Sequence, residues 1–273
     1  MRKFFIATAL LAVTMLASCG KTIRLEGYAW NASVTSTDDD GDRMTLEVNM
    51  FCTSDKEGTL FICEKYSHNP IPDGLALPFT YTWDDNVGTI TATYIDPEID
   101  GVGTSTISIP MNYTKTTGLV VDLGNLYRKE MIDMNPAGFS LEKKEIYKAG
   151  DLKGTEWQCR FEDVLSPGGW GSDYAYFLHF NSSTDAKLTM YWDGFNGGTD
   201  EWDVTYSYAD GVGKMSLRCV SYPDDTFDGY FYLPDSQHLV YCDGESHMTM
   251  QRVTTQPEPN KRYPSTKRPS RGL

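Results

Sequence analysis

The segment LEGYAW at residues 25–30 returns as LKGTEW at residues 152–157, so the pattern L-x-G-x-x-W occurs twice. Further matches follow in the same order along the chain. TYTWDDNVG (80–88) corresponds to TYSYADGVG (205–213), GLV (118–120) to HLV (238–240), and FSLEK (139–143) to MTMQR (248–252). An ordered set of matches of this kind indicates two tandem copies of one structural module.

The hydrophobic pattern within each copy has a period of two. In MTLEVNM (44–50), apolar residues alternate with polar ones, as expected of a half-buried β-strand. Asp-Gly turns at 40–41, 193–194, 210–211 and 243–244 separate such runs. The sequence therefore predicts an all-β fold with about eight short antiparallel strands in each copy. Either two small meander barrels or two two-sheet β-sandwiches would satisfy this pattern; only Leu126–Met134 suggests a helical turn.

The repeated opening motif resembles the first strand of lipocalin-like (calycin) domains, which carry a Gly-x-Trp element with one residue fewer. The resemblance implies a closed up-and-down barrel in each copy. It also implies that Trp30 and Trp157 pack across the closed end of their barrels. Tandem lipocalin-like lipoproteins are typical of Bacteroidetes, and this chain looks like one of them.

The N-terminal segment has the features of a bacterial lipoprotein signal peptide. Arg2 and Lys3 precede the apolar run 4–16, which is too short to span a bilayer. The run ends in LASCG (16–20), which resembles a lipobox. The resemblance implies that residues 1–19 form a lipoprotein signal peptide segment, which is cut before Cys19, and that acylation of Cys19 anchors the chain. The resemblance also implies the outer membrane, because Gly20 follows Cys19 where the family's inner-membrane retention signal has Asp. Lys21 and Arg24 stand where surface-displayed members often have acidic residues, which favours the periplasmic face.

The remaining chain divides into four segments, of which the first three are acidic taken together and the last is basic. We predict copy one at 20–146, a linker at 147–151, copy two at 152–253 and a disordered basic tail at 254–273. The net charge of the 273 residues is -14, but segment 20–253 alone has 17 Lys and Arg against 37 Asp and Glu. This acidity argues against a nucleic-acid partner and against binding to anionic lipid. Acylated Cys19 is then the expected membrane attachment.

Motifs for catalysis or metal binding are not found. The sequence contains no nucleophile elbow, no zinc-protease helix motif and no phosphate-binding loop. The acidic turn before Glu47 meets the calcium-loop template only in part, and we interpret it as a solvated hairpin turn. We therefore expect a protein that is not an enzyme and has no cofactor and no metal site.

Five cysteines follow Cys19. Cys52 and Cys63 flank the predicted turn near residues 55–58 and are candidates for a disulfide, the alternative being two buried free thiols. In copy two, Cys159 or Cys219 is a candidate partner for Cys242. One thiol is left over in either arrangement.

Aromatic residues near two loops of copy two form the candidate ligand-binding site. Trp170 lies in a Gly-rich loop, and Trp192, Phe195 and Trp202 surround the loop after the third strand of this copy. Alternate loops of an up-and-down barrel share one end, and exposed rings there suit sugar rings or an apolar ligand. The alternative is that Trp192 and Trp202 pair across a hairpin.

Two functions remain open from the sequence. The first is a membrane-anchored module that binds a small apolar ligand or glycan. The second is a structural or protein-interaction module of the envelope with solidly packed barrels. A barrel of this size has an interior that side chains can fill or that can hold one small ligand, so the sequence alone does not decide between them.

Overall fold

The computed structural model describes residues 22–37, 41, 43–67, 69, 71–95, 104–125, 138–165, 171–193, 197–244 and 246–254. These residues form sixteen β-strands and one short 3₁₀ turn, Leu123–Asn125. The first eight strands are β1 (Tyr28–Thr37), β2 (Arg43–Cys52), β3 (Glu57–Tyr66), β4 (Asp73–Asp84), β5 (Val87–Ile95), β6 (Thr104–Thr114), β7 (Gly118–Val121) and β8 (Phe139–Glu145).

The second copy provides the other eight strands. They are β9 (Glu156–Leu165), β10 (Gly171–Phe180), β11 (Asp185–Asp193), β12 (Gly198–Ala209), β13 (Val212–Cys219), β14 (Thr226–Tyr232), β15 (His238–Cys242) and β16 (His247–Arg252). The predicted boundary at 147–151 falls between β8 and β9. Among the described residues, no helix is long and apolar enough to cross a membrane.

Each copy is a closed antiparallel barrel in which every strand pairs with its neighbours in the sequence. Barrel one closes by pairing β1 with β8, with Trp30 opposite Lys143. Barrel two closes by pairing β9 with β16, with Trp157 opposite Arg252. The prediction of two tandem meander barrels is confirmed, and the two-sheet sandwich is wrong. Each described strand has a paired neighbour on both sides, so neither barrel has the edge strands that a sandwich would have retained.

Alternating apolar residues fill both barrels. In barrel one, Val48, Ile62 and Ile90 belong to a single buried core. Trp30 is 2% exposed and its indole Nε1 donates a hydrogen bond to the carbonyl oxygen of Leu25 (3.5 Å). Trp157 is 1% exposed and its Nε1 donates to Thr155 Oγ1 (2.9 Å). The two repeated tryptophans are therefore core residues of their barrels.

The repeat extends to the geometry of one turn. The hairpin between β4 and β5 turns at Asp85 and Asn86, and that between β12 and β13 at Asp210 and Gly211; all four residues have positive φ. Two successive left-handed residues define the two-residue turn whose twist matches that of the flanking strands. The two copies therefore keep the same turn geometry with different residues.

The barrels pack against each other through outward-facing apolar residues. Ala29, Phe51 and Phe61 of barrel one form a buried cluster with Tyr232, Val240 and Cys242 of barrel two. The centroid of the Tyr232 ring lies 4.8 Å from each of the Phe51 and Phe61 rings. A backbone bridge between Asp73 and Ser246 joins the two sheets at this contact.

The predicted disulfide between Cys52 and Cys63 is wrong, because the two side chains lie on opposite faces of the wall of barrel one. The hairpin register places Cys52 opposite Gly58 and Cys63 opposite Glu47, so the two are not cross-strand partners. Cys52 also lies in the core of barrel one, whereas Cys63 follows the core residue Ile62 and therefore points outward. The error is one of register, since the hairpin centres on Asp55 rather than between residues 57 and 58.

Several predictions fall outside the described residues. These are the signal peptide with Cys19, the helical turn at Leu126–Met134, the basic tail from residue 255, and the loop residues Trp170 and Phe195.

Candidate functional site

Aromatic rings on inward-facing positions line the end of barrel two at which β9 and β11 end and β10 and β12 begin. We call it the open end because Trp192, Trp202 and Phe227 remain partly exposed there. Strand β11 continues inward through Leu188, Met190 and Trp192, and β12 does so through Trp202 and Val204. Trp192 and Trp202 are only half-buried, unlike Trp157 deep in the same barrel. The two predicted ligand-binding tryptophans that the structure describes therefore face the barrel lumen near its open end.

Trp192 and Trp202 do not pair across the hairpin. The register places Trp192 opposite Gly198 and Trp202 opposite Leu188. The Trp192 ring occupies the space above Gly198, where an added Cβ would lie 2.5 Å from the Trp192 Cζ2 atom. Glycine at position 198 therefore lets the ring lie flat along the wall of the lumen.

Three further rings, which the sequence did not indicate, complete this surface. The Phe227 ring centroid lies 5.4 Å from that of Trp202, and the Phe161 centroid lies 6.0 Å from that of Tyr176 in an edge-to-face arrangement. Phe227 is 49% exposed although it stands on an inward-facing position opposite Leu217. We call Phe161, Tyr176, Trp192, Trp202 and Phe227 the aromatic mouth.

The described strand ends on either side of Trp170 and of Phe195 lie at the same end of the barrel. Gly171 pairs with Leu165 on either side of the first loop, and Asp193 pairs with Asp173 beside the second. The sequence-based inference that these two loops share one end agrees with this register. The two side chains themselves lie outside the described residues.

Short strands widen the mouth on one side. β15 and β16 have five and six residues, and their ladder ends at the Cys242–His247 pair. The last residue of β15, Cys242, pairs with Tyr230 of the adjacent strand β14, so the part of β14 that carries Phe227 has no partner in β15.

Burial raises the pKa of the Tyr176 hydroxyl to about 12, and the nearby Asp243 carboxylate acts in the same direction. Tyr176 is therefore neutral at physiological pH.

Carboxylates surround the aromatic mouth. Asp173 and Asp193 lie at the ends of β10 and β11, and the backbone N–H of Asp173 donates to an Asp193 carboxylate oxygen (2.9 Å). Asp200 precedes Trp202 on the inward face, and Asp224 and Asp225 lie in the turn before β14. The resulting negative potential disfavours anionic ligands and tolerates neutral or cationic ones.

The corresponding end of barrel one has a different lining. Val34, Met44 and Leu75 pack onto the core there. Tyr66 and Glu64 occupy inward positions, and the Tyr66 hydroxyl donates to the Glu64 carboxylate (2.8 Å). Among the residues whose side chains are described, barrel one therefore places the ring of Tyr66 at this end, whereas barrel two has a cluster of several rings there.

A polar groove of about 680 Å³ lies between the barrels. Its walls include Glu47, Asn49, Glu142 and Tyr232, and on the wall formed by barrel one Asn31 Nδ2 donates to Asn49 Oδ1 on the adjacent strand. The groove results from the docking of the barrels and opens widely to solvent. Within the described ranges, no group of three His, Cys, Asp or Glu side chains is arranged to hold a metal ion.

Comparison with protein-family models, with curated proteins and with solved structures finds no match to this chain.

Proposed function

We propose that the chain is a membrane-anchored, non-catalytic envelope lipoprotein whose second barrel binds a small neutral ligand, either apolar or a glycan. The observation that carries the proposal is the aromatic mouth. Large rings that are left half-exposed on inward positions lose burial that a packed core would provide, and such rings bind apolar groups and sugar faces. The lipobox and the lipocalin-like motif support the same proposal from the sequence.

The negative charge around the aromatic mouth favours a neutral ligand over an anionic one. Five carboxylates lie on the strand ends and the turn at this end of the barrel, so an anion would meet an electrostatic repulsion there that a neutral molecule avoids. Two dyes of similar shape test this point. N-phenyl-1-naphthylamine is neutral, and 1-anilinonaphthalene-8-sulfonate carries a sulfonate on a similar aromatic frame.

We expect saturable binding of the neutral dye, and about five- to thirtyfold weaker binding by the Trp202→Ala variant, because a lost aromatic contact is worth about 1–2 kcal/mol. Dye fluorescence reports the binding. Trp83→Phe, which alters a tryptophan in barrel one, is the matched control and should bind as the parent does. Equal binding of both dyes, or unchanged binding by Trp202→Ala, would show that the aromatic mouth is not the binding site. Titration with cellohexaose extends the test to glycans.

Lipid attachment is tested separately. Cells fed an alkyne fatty acid should label the parent chain, and Cys19→Ala should abolish the label because the acylated thiol is gone. Cys159→Ala removes a thiol from the core of barrel two and serves as the control that keeps the label. A labelled Cys19→Ala chain would refute the anchor.

A second function, a protein-interaction module without a small ligand, is favoured by barrel one. Its core side chains include Met50, Leu60 and Ile109, each fully buried, and its open end is packed with aliphatic residues. Absence of saturable binding by either dye and by cellohexaose would favour this function for both barrels.

A further inference from the structure

Two cysteines lie on the facing outer surfaces of the two barrels. Cys63 follows the core residue Ile62 on β3, so its side chain points out of barrel one. Cys242 belongs to the apolar cluster between the barrels. Both are free, and their exposures are 1% and 0%. The contact between the barrels therefore buries one thiol from each copy.

Gly74 brings these thiols together. Gly74 is the ladder partner of Cys63, so a Cβ at position 74 would stand about 5 Å from the Cys63 Cβ on the same face. A Cβ built there would also lie 2.8 Å from the Cys242 Sγ atom. Cys242 Sγ thus occupies the space that a side chain at position 74 would fill, on the face of the sheet to which Cys63 also points.

The surrounding backbone fixes this arrangement. Asp73 bridges to Ser246, and the backbone N–H of His247 donates to the carbonyl oxygen of Pro72 (2.9 Å). These contacts hold the start of β4 against the turn between β15 and β16. The relative position of the two thiols therefore rests on backbone hydrogen bonds as well as on apolar packing.

The other described thiols are not placed to compete. Cys52 and Cys159 belong to the cores of barrels one and two, and Cys219 faces inward opposite Trp202. A barrel wall separates each of them from the contact between the barrels. A disulfide requires Cβ atoms about 3.5–4.5 Å apart and pointing toward each other, which these positions do not offer to Cys63 or Cys242.

We propose that Cys63 and Cys242 form a disulfide that links the two barrels covalently. The oxidant is a disulfide, such as that of a thiol–disulfide oxidoreductase or oxidised glutathione. One cysteine thiolate attacks the oxidant disulfide and displaces the first oxidant thiolate. The second cysteine thiolate then attacks the mixed disulfide and displaces the other oxidant thiolate. The two S–H protons end on the two thiols released, so one disulfide is reduced and one is formed.

The timing of this reaction follows from burial. Desolvation raises the pKa of both the Cys63 and the Cys242 thiol to about 12, so almost no thiolate exists while the barrels are docked. Exchange needs a thiolate with access to the oxidant. We therefore expect the bond to form during folding or when the barrels separate, and to resist reduction once they have docked.

Peptide mapping tests the proposal. The full chain is refolded from urea in a glutathione redox buffer, quenched in acid, alkylated and digested with trypsin. Cleavage after Lys56 separates Cys52 from Cys63, and the expected product is peptide 57–65 linked to peptide 219–252 in most molecules. Because peptide 219–252 also contains Cys219, the Cys219→Ala variant should keep the link and Cys242→Ala should lose it.

The parent and Cys219→Ala suffice to decide even if Cys242→Ala fails to fold. Recovery of peptide 57–65 mainly as an alkylated free thiol would overturn the proposal. Linkage of peptide 57–65 to peptide 44–56, which contains Cys52, would also overturn it. Loss of the link in Cys219→Ala would transfer the bond to Cys219 and would equally refute it.

Discussion

Trp157→Ala is expected to destabilise barrel two by about 3–5 kcal/mol, because it removes a fully buried ring from a closed barrel that cannot collapse to fill the space. Trp157 is 1% exposed and lies in the core of barrel two. Its Nε1 donates to Thr155 Oγ1, whose hydroxyl donates to the carbonyl oxygen of Leu152 (2.7 Å). Truncation therefore also breaks the chain of hydrogen bonds that ties the entering segment to the barrel floor.

Urea unfolding followed by circular dichroism measures this loss. Trp192→Ala is the matched control, because it removes the same ring from the half-exposed mouth and should cost only about 1–2 kcal/mol. Equal losses for the two variants would mean that Trp157 does not occupy the packed interior described above.

Acidification from pH 6.5 to pH 4 is expected to lower the free energy of unfolding through His247 by about 3 kcal/mol. Burial, assisted by the Lys65 charge, lowers the pKa of His247 from 6.5 to about 4, although the Glu47 carboxylate acts in the opposite direction. Between these values the unfolded chain binds a proton that the native chain excludes, so stability falls as the pH falls. Above the unfolded pKa this contribution is absent.

The environment of His247 explains the size of this effect. The residue is 2% exposed, and neither ring nitrogen has a hydrogen-bond partner among the described residues. His247→Phe replaces the ring by one of similar shape without polar atoms, so the variant should lose less stability on acidification than the parent.

Paired urea titrations at pH 7 and pH 4.5 measure the effect. His238→Gln is the control, because His238 is only partly buried and contacts Asp235 at the surface (2.9 Å); it should keep the full pH dependence. The same loss on acidification in the parent and in His247→Phe would contradict the assignment.

The barrels could be predicted from the sequence because the order of apolar and polar residues within each strand indicates which face of that strand is buried. Alternation in segments such as 44–50 identifies strands with one buried face, and short turns leave only antiparallel neighbours. The repeated L-x-G-x-x-W motif located both copies, and Trp30 and Trp157 are buried as the resemblance implied. These features are local, so no knowledge of tertiary contacts was needed.

The contact between the barrels was missed because it depends on a second buried face. All four residues of LFIC (60–63) in β3 are buried, and so are all three residues of VYC (240–242) in β15. Continuous apolar runs inside alternating strands are the signal of burial on both faces. Cys242, the partner that we propose for Cys63, was missed for the same reason, because it lies in the other copy and not in the hairpin that contains Cys63.

The candidate site was predicted in part. Trp192 and Trp202 were singled out because they lie beside the loop after the third strand of copy two, and both face the lumen at the open end. Phe161, Tyr176 and Phe227 were not singled out, since their contribution depends on where β15 and β16 end. Strand length at the far side of a barrel is set by tertiary pairing, which local patterns do not encode.

Indole NMR tests the aromatic mouth most directly. The six tryptophans each give one ¹⁵N–¹H indole signal, which single variants assign, and the chain is titrated with N-phenyl-1-naphthylamine. The account predicts saturable shifts of the Trp192 and Trp202 signals, while those of the buried Trp30 and Trp157 stay in place. Unmoved Trp192 and Trp202 signals at saturating dye, or shifts confined to the tryptophans of barrel one, would contradict it.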